Sequence, residues 1–368
     1  MQVGSKDSVV LAGGGTAGHT SPLIATAEEL RRLRPEARLT AVGTARGLET
    51  TVIPAAGLPL ELIPPVPLPR RPSLDLALVA PRLLRAVRAA IAVLRRVEAG
   101  AVIGFGGYVS APVYLAARRL GLPILIHEQN ALPGFANKLA ARFTRHVYTS
   151  FPRTPLPHAR YIGLPLRRGI TGLDREASRD DARAGFGLRS DLPVLLVSGG
   201  SQGAQRINEA VLGARDELLA AGIQVLHVLG PRNVTEATVL ATDEQTGAGY
   251  HPVAFVERME LAYAAADVML GRCGASTVLE TAAVGLPAIF VPYPYGNGEQ
   301  ARNAATVVEA GAGLLVADAD CTPGWVAREV PALVSDQARL KEMSATLRGI
   351  AKTDAATVLA EQAWEVLR

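Results

Sequence analysis

Two glycine-rich turns constrain the fold of this 368-residue chain most, because each follows a short apolar run and precedes a stretch with helical spacing. The first turn spans residues 13–19 after the run 8–12, and the second spans residues 198–203 after the run 194–197. A strand, a glycine turn and a helix N-terminus form an anion site, since glycines let backbone N–H groups approach and the helix dipole adds about half a positive charge. Two such units predict a ligand held between two domains.

Short apolar runs alternate with helical patterns along the chain, which is typical of parallel sheets in doubly wound α/β domains. The alternation stops over residues 151–168, where four prolines predict a linker, and residues 341–368 have helical spacing. The runs that predict strands are residues 9–12, 38–42, 101–103, 124–126 and 146–149 before the linker, and 194–197, 224–229, 251–255, 268–270 and 288–291 after it.

The composition argues against several classes of protein. Two cysteines, Cys273 and Cys321, are too few for a disulfide framework or a multi-cysteine zinc site. The longest apolar region, residues 101–126, is interrupted by glycine, proline and arginine, so it does not predict a membrane-spanning helix. The N-terminus lacks the pattern of a secretion signal. We therefore expect a cytosolic chain that does not span a membrane.

The net charge of +4 conceals an asymmetry between the two halves. Residues 1–165 hold 20 Lys and Arg against 9 Asp and Glu, whereas the remaining residues hold 18 against 25. Within the basic half, many apolar side chains in residues 73–97 accompany Arg70, Arg71, Arg82, Arg85 and Arg88. This pattern predicts either a helix that contacts an anionic membrane or a core helix with a solvated basic face. The excess charge favours membrane contact. Nucleic acid is disfavoured because aromatic residues are only 5% of the chain and do not alternate with basic ones.

The first glycine turn matches the dinucleotide-binding pattern Gly-x-Gly-x-x-Gly at Gly13, Gly15 and Gly18. The next predicted strand ends at residues 42–44 without the acidic residue that binds a ribose, which argues against a nicotinamide cofactor. His19 opens the following helix, where the dipole favours a neutral imidazole. It is therefore a candidate general base, although a histidine there can also simply cap its own turn.

Polar residues follow several other predicted strands. Residues 127–130, His-Glu-Gln-Asn, lie at the strand edge where α/β sheets bind ligands, but they could equally hold a turn together. Glu280 near a helix start can accept two ribose or sugar hydroxyls, or can be a first-turn acid favoured by the dipole. Gln300 at a later helix start could bind hydroxyls, and Arg167 after the linker could bind an anion.

The sequence Asp318-Ala319-Asp320 matches the Asp-x-Asp pattern that some transferases use to hold a metal ion on a diphosphate. No second acidic cluster lies nearby, so a solvated turn explains it better. We therefore predict chemistry that needs no metal ion and no cofactor.

Six motifs together resemble the MurG family, the bacterial N-acetylglucosaminyltransferases that convert lipid I to lipid II in peptidoglycan synthesis. They occur in family order over nearly the whole chain, at residues 13–19, 104–112, 127–130, 199–204, 274–280 and 300–303. The resemblance implies a GT-B fold, two Rossmann-like doubly wound parallel-sheet domains that face a cleft. It implies an acceptor domain of residues 1–163 joined by a C-terminal helix at about 341–368, and a UDP-sugar domain of residues 164–340.

The resemblance also implies the reaction and its residues. N-acetylglucosamine would move from UDP-N-acetylglucosamine to the 4-hydroxyl of undecaprenyl-diphospho-muramoyl-pentapeptide, on a protein bound peripherally to the cytoplasmic face of the cell membrane. His19 would be the catalytic base, Glu280 would hold the ribose, Ser201 the diphosphate and Val256 the uracil. The full substrate-binding set would be Thr16, Ala17, Gly18, Asn130, Arg167, Ser201, Val256, Ala275, Ser276, Thr277, Val278, Leu279, Glu280 and Gln300.

Three other functions remain open from the residues alone. Another GT-B glycosyltransferase, acting on a different lipid or a natural product, would share the glycine turns. A UDP-sugar epimerase would need no lipid acceptor. A membrane scaffold that only binds a nucleotide sugar would show affinity without turnover.

Overall fold

A computed structural model describes residues 7–45, 47–66, 75–200, 204–234 and 238–368, with the side chains of residues 75–78 left out. The chain divides into two compact units. Unit 1 comprises residues 1–167 and 352–368, and unit 2 comprises residues 168–351.

Unit 1 is built on a parallel sheet of seven strands. They are β1 Ser8–Ala12, β2 Arg38–Gly43, β3 Leu60–Leu62, β4 Ala101–Gly104, β5 Ile124–Glu128, β6 His146–Thr149 and β7 Ala159–Tyr161. Their spatial order is β3-β2-β1-β4-β5-β6-β7, and every pairing is parallel. The order reverses beside β1, where Ala12 pairs with Gly104 of β4. The loops after β1 and β4 therefore leave the sheet side by side at its carboxyl edge.

Helices cover the sheet of unit 1, and one of them comes from the C-terminus. They are α1 Ala17–Leu33, α2 Glu49–Ala55, α3 Asp75–Arg96, α4 Ser110–Leu120, α5 Phe135–Ala140 and α15 Ala355–Glu365. Helix α15 packs against α1, where the Thr357 hydroxyl donates to the buried Glu29 at 3.2 Å. On the strand side, the Tyr148 hydroxyl donates to Gln362 at 3.0 Å. The last helix is thus bound to unit 1 by polar as well as apolar contacts.

Unit 2 repeats the architecture with one antiparallel edge. Its strands are β8 Val194–Ser198, β9 Gln224–Val228, β10 Ala241–Thr242, β11 Gly249–Val253, β12 Val268–Gly271, β13 Ala288–Phe290 and β14 Gly313–Leu315. The order is β10-β11-β9-β8-β12-β13-β14, and only the β10-β11 pair of this sheet is antiparallel. Its helices are α6 Arg168–Thr171, α7 Arg175–Gly185, α8 Gln205–Gly213, α9 Arg215–Ala220, α10 Met259–Ala265, α11 Ala275–Val284, α12 Glu299–Glu309, α13 Pro323–Ser335 and α14 Gln337–Ile350.

The predicted fold class, two doubly wound parallel-sheet domains, is confirmed, with differences at the edges. The predicted strand list lacks β3, β7, β10 and β14, each of two or three residues, because such short strands carry no readable periodicity. Strand β7 lies inside the segment predicted as a linker. The C-terminal region predicted at about 341–368 forms two helices, of which α14 belongs to unit 2 and α15 to unit 1. The Ser344 hydroxyl on α14 donates to the Gly285 carbonyl of unit 2 at 2.6 Å.

Helix α3 has a buried face and a basic outer face. Ala86, Ala90 and Leu94 are buried in the core, whereas Leu84 and several arginines are exposed. Arg70 and Arg71 lie outside the described residues. Within the described ranges, no helix is long and apolar enough to cross a membrane.

Candidate active site

The loop after β1 places His19 at the start of α1. The helix begins at Ala17 with Thr16 as its N-cap residue, and His19 Nδ1 lies 3.1 Å from Thr16 Oγ1. When Nδ1 carries the hydrogen and donates to Thr16, His19 Nε2 presents a lone pair. A Cβ at Gly106, in the loop after β4, would lie 3.5 Å from that nitrogen, so the glycine leaves space beside it. The half-buried imidazole can therefore accept a proton at Nε2.

The surroundings of His19 favour its neutral form. Burial lowers the pKa of His19 below its ordinary value of 6.5, and the negative charge of Glu49 opposes part of that shift. The predicted neutral imidazole is thus supported, and its main cause is burial.

Glu49 occupies the first glycine turn from inside the protein. Its Oε2 accepts from the backbone N–H of Gly15 at 2.8 Å, and its Oε1 accepts from the N–H and hydroxyl of Thr44 at 3.1 and 2.9 Å. These hydrogen bonds lower the pKa of Glu49 even though burial acts in the opposite direction. The Gly15 N–H is therefore taken by a side chain of the protein, and an external anion at this turn remains a prediction for the N–H groups of residues 16–18.

The His-Glu-Gln-Asn segment forms a buried turn. The Glu128 carboxylate accepts from the N–H of Asn130 at 3.0 Å, from the N–H of Gly134 at 3.0 Å and from Asn137 Nδ2 at 2.8 Å. His127 Nε2 lies 2.9 Å from the Gly163 carbonyl oxygen, and burial lowers the pKa of His127 to about 4. Glu128 and His127 therefore hold the turn together, which is the structural one of the two interpretations left open for this segment. Asn130 itself is half-buried.

The network around Glu128 reaches the neighbourhood of His19. The hydroxyl of the buried Tyr114 donates to Asn137 Oδ1 at 2.7 Å. A Cβ at Gly106 would lie 3.3 Å from Asn137 Nδ2 as well as 3.5 Å from His19 Nε2. The structure therefore brings the predicted residues near His19 and residues 127–130 together in unit 1.

Unit 2 has its own group of polar residues at the carboxyl edge of its sheet. Gly271 at the end of β12 pairs with Ser198 of β8 and Phe290 of β13, so the loops after these three strands emerge side by side. Residues 275–280 form the beginning of α11, and Val256 is buried after β11. Ser276 Oγ is buried and finds no hydrogen-bond partner among the described residues.

Glu280 is held by a tyrosine that the sequence did not indicate. It is the sixth residue of α11, beyond the first turn, so the interpretation as a first-turn acid is wrong. The hydroxyl of the buried Tyr263, at the end of α10, donates to Glu280 Oε2 at 2.7 Å. This contact fixes the half-buried carboxylate at the edge of the sheet.

The loop after β13 is held by Gln300 at the start of α12. Its Oε1 accepts from the N–H of Tyr293 at 2.9 Å. Arg272, after β12, donates to the carbonyls of Val291 and Pro292 and pairs with Asp318. Asp318 therefore has a structural partner, which agrees with the interpretation of Asp-x-Asp as a turn. No cluster of three or more His, Cys, Asp or Glu suited to a metal ion occurs in the described part of the chain.

Two further predicted site residues, Ser201 and Arg167, are given no role by the described contacts. Ser201 lies outside the described residues, and Arg167 is half-buried at the end of the first segment of unit 1. The sequence missed Glu49, Asn137 and Tyr263, whose partners lie 34, 9 and 17 residues away along the chain. No local pattern marks such pairs.

Comparison with known proteins identifies relatives over nearly the full length. The models of the glycosyltransferase family 28 N-terminal and C-terminal domains match residues 9–149 and 194–361. A Nocardioides sp. protein named UDP-N-acetylglucosamine--N-acetylmuramyl-(pentapeptide) pyrophosphoryl-undecaprenol N-acetylglucosamine transferase is 57% identical over 347 residues, 94% of each chain. A protein of the same name from Cutibacterium acnes is 56% identical and covers 96% of this chain and 95% of its own. The crystal structure of Acinetobacter baumannii MurG is 28% identical with a TM-score of 0.79, and the match covers 98% of this chain and 99% of that one.

Proposed function

The chain belongs to the MurG family of GT-B glycosyltransferases, and on that premise we propose which of its residues carry out the reaction. It is an N-acetylglucosaminyltransferase of peptidoglycan synthesis that forms lipid II from lipid I. The observation that carries this conclusion is 57% identity across 94% of both chains. Family membership selects this reaction over the epimerase, the scaffold and glycosyl transfer to other acceptors.

In the proposed mechanism, the 4-hydroxyl of the muramoyl sugar attacks the anomeric carbon of N-acetylglucosamine while the bond to UDP breaks, with inversion. The hydroxyl proton passes to His19 Nε2, because the neutral, half-buried ring can accept a proton there. UDP departs with the bonding electron pair, and backbone N–H groups at the second glycine turn and the start of α11 stabilise its negative charge. Unit 1 would bind the acceptor and unit 2 the donor.

The proposed donor site uses Glu280 to bind the ribose hydroxyls. Tyr263 supports this role because it holds the carboxylate from one side. Ser276, on the same helix, has a hydroxyl that no other described residue binds. Asn130, Arg167, Val256, Gln300 and residues 16–18 are proposed as further substrate contacts, and Ser201 is proposed from the family resemblance alone.

Glu280→Gln is expected to raise KM for UDP-N-acetylglucosamine by about 10- to 100-fold with kcat little changed. Charge-assisted hydrogen bonds contribute about 1.5–3 kcal/mol, and ribose contacts act on the ground state and the transition state alike. Steady-state kinetics and calorimetric titration with UDP measure the effect. Tyr263→Phe should produce a smaller rise, and Glu342→Gln, at an exposed position on α14 of the same unit, should produce none. Wild-type KM in Glu280→Gln would refute the ribose role.

We also propose that unit 1 binds the anionic cytoplasmic face of the membrane. The basic balance of residues 1–165 and the exposed Leu84, Arg85 and Arg88 on α3 support this. Exposed arginines attract anionic headgroups, and an exposed leucine can enter the lipid interface.

The double change Arg85→Gln and Arg88→Gln is expected to weaken binding to phosphatidylglycerol vesicles about 30-fold at low salt. Each basic residue near an anionic surface contributes about 1 kcal/mol, and the two effects add. Vesicle co-sedimentation measures the change. Arg328→Gln with Arg339→Gln, two exposed arginines of unit 2, is the matched control and should bind as wild type. Equal binding by both double variants would contradict membrane contact through α3.

A transfer assay with labelled UDP-sugars and a short-chain lipid I analogue tests the proposed reaction as a whole. We expect transfer from UDP-N-acetylglucosamine that requires the acceptor and continues in the presence of a chelator. A changed sugar released without acceptor would indicate an epimerase, and binding without turnover a scaffold. Strong inhibition by the chelator would overturn the metal-free mechanism and restore the metal interpretation of Asp318 and Asp320.

A further inference from the structure

We propose that Glu49 is a positioning residue of the active site, an anion supplied by the protein that holds the first glycine turn and thereby sets the place of His19. The inference rests on the proposed role of His19 as the base. It assigns a function to a residue that the motifs of the family resemblance do not include.

The hydrogen bonds of Glu49 join the two loops that flank it. One carboxylate oxygen accepts from Gly15 in the loop after β1, and the other accepts twice from Thr44 in the loop after β2. Gly15 has a φ of +92°, a conformation that L side chains rarely adopt and that an N–H···carboxylate bond holds in place. The carboxylate therefore fixes the turn one residue before Thr16, the N-cap of α1 and the partner of His19.

The surrounding glycines leave room for the side chain of Glu49. A Cβ at Gly14 would lie 2.6 Å from Glu49 Oε1, and a Cβ at Gly43 would lie 2.7 Å from Glu49 Cγ. A Cβ at Gly47 would collide with Glu49 Oε2. Three glycines around one buried side chain form a built internal site, in which the carboxylate of Glu49 takes the Gly15 N–H in place of an external phosphate.

The buried charge also acts on the imidazole. The negative charge of Glu49 stabilises the imidazolium form and raises the pKa of His19 against the larger effect of burial. A Cβ at Gly106, in the loop after β4, would lie 3.5 Å from His19 Nε2 and 3.3 Å from Asn137 Nδ2, and neither glycine nor asparagine has a side chain that titrates. Glu49 thus keeps His19 more basic than burial alone would leave it.

The experiment compares Glu49→Gln with the wild-type full chain. The amide places an NH₂ group against either Gly15 N–H or Thr44 N–H, so one loop must shift, and the negative charge is lost. We expect the pKa of His19 to fall, as measured by NMR titration of labelled histidines with His19 assigned from the His19→Gln spectrum. We also expect kcat to fall about tenfold or more, with a smaller change in KM for UDP-N-acetylglucosamine, because small displacements of a catalytic group cost up to about 100-fold.

Two further variants distinguish positioning from general loss of stability. Glu49→Asp keeps the charge and should restore the pKa of His19 with part of kcat. Glu29→Gln removes another buried carboxylate of unit 1, paired with Arg32, and should leave the titration of His19 unchanged.

If Glu49→Gln does not fold, a second pair of variants tests the same inference. Gly47→Ala displaces the Glu49 carboxylate without removing it and should lower kcat. Gly349→Ala, where the added methyl group meets open space, should leave kcat unchanged.

The outcomes separate this inference from the proposed function. A folded Glu49→Gln protein with the wild-type pKa of His19 and wild-type kcat overturns the positioning role. If Glu49→Gln lowers the pKa of His19 but the pH–rate profile does not shift, Glu49 acts on His19 as inferred. The same result would show that His19 is not the base, and so would contradict the proposed function.

Discussion

His19→Ala is expected to lower kcat by at least about 100-fold while UDP binding stays close to wild type. Removing a general base costs about 10² to 10⁴ in rate, and Nε2 of His19 is the proton acceptor of the proposed mechanism. The proposed UDP contacts lie largely in unit 2, and His19 is not among them. Single-turnover transfer to the lipid I analogue measures the chemical step, and calorimetry measures UDP binding.

The matched control is His158→Asn, at an exposed histidine of unit 1 with a φ of +59° that asparagine tolerates. It should turn over as wild type. The pH dependence provides a second check. Because burial lowers the pKa of His19, activity should persist below pH 6.5 and decline only as the pH falls through that lowered pKa. Wild-type turnover in His19→Ala would remove His19 from the mechanism.

The strand-turn-helix units could be predicted because their signals are local. An apolar run, a glycine turn and a helical pattern lie within about 25 consecutive residues around β1 and α1, so the sequence indicates them without knowledge of the fold. The two sheets follow from the repetition of such units. Strand β7 was not predicted, because three residues paired at a sheet edge carry no periodicity that distinguishes them from a loop.

The occupants of the turns could not be predicted because their partners are distant along the chain. Glu49 has the local pattern of an ordinary acid in the first turn of α2, and only the pairing of β1 with β2 brings it to Gly15. Tyr263 likewise reaches Glu280 only after the chain folds so that α10 and α11 come together. Glycine motifs therefore predict where N–H groups converge, but the fold decides which anion they meet.

Asp267→Ala is expected to destabilise unit 2 by about 3–5 kcal/mol, because it leaves a buried arginine without its counter-charge. Arg183 is 1% exposed, and its Nη2 lies 2.8 Å from Asp267 Oδ2. The same carboxylate accepts from Arg179 at 2.7 Å and from the Val194 N–H at 2.7 Å, so it also fixes the start of β8. Urea unfolding followed by tryptophan fluorescence measures the loss.

The two tryptophans of the chain allow the units to be followed separately. Trp325 lies in unit 2 and Trp364 in unit 1, so Trp364→Phe leaves a reporter of unit 2 and Trp325→Phe a reporter of unit 1. Asp267→Ala should lower the urea midpoint reported by Trp325 and leave that reported by Trp364 nearly unchanged. Asp191→Ala, which breaks the exposed pair with Arg189, should change neither, since exposed pairs contribute little. Equal midpoints for Asp267→Ala and Asp191→Ala would show that the carbonyls of Ala265, Ser190 and Leu192 suffice to hold the Arg183 guanidinium.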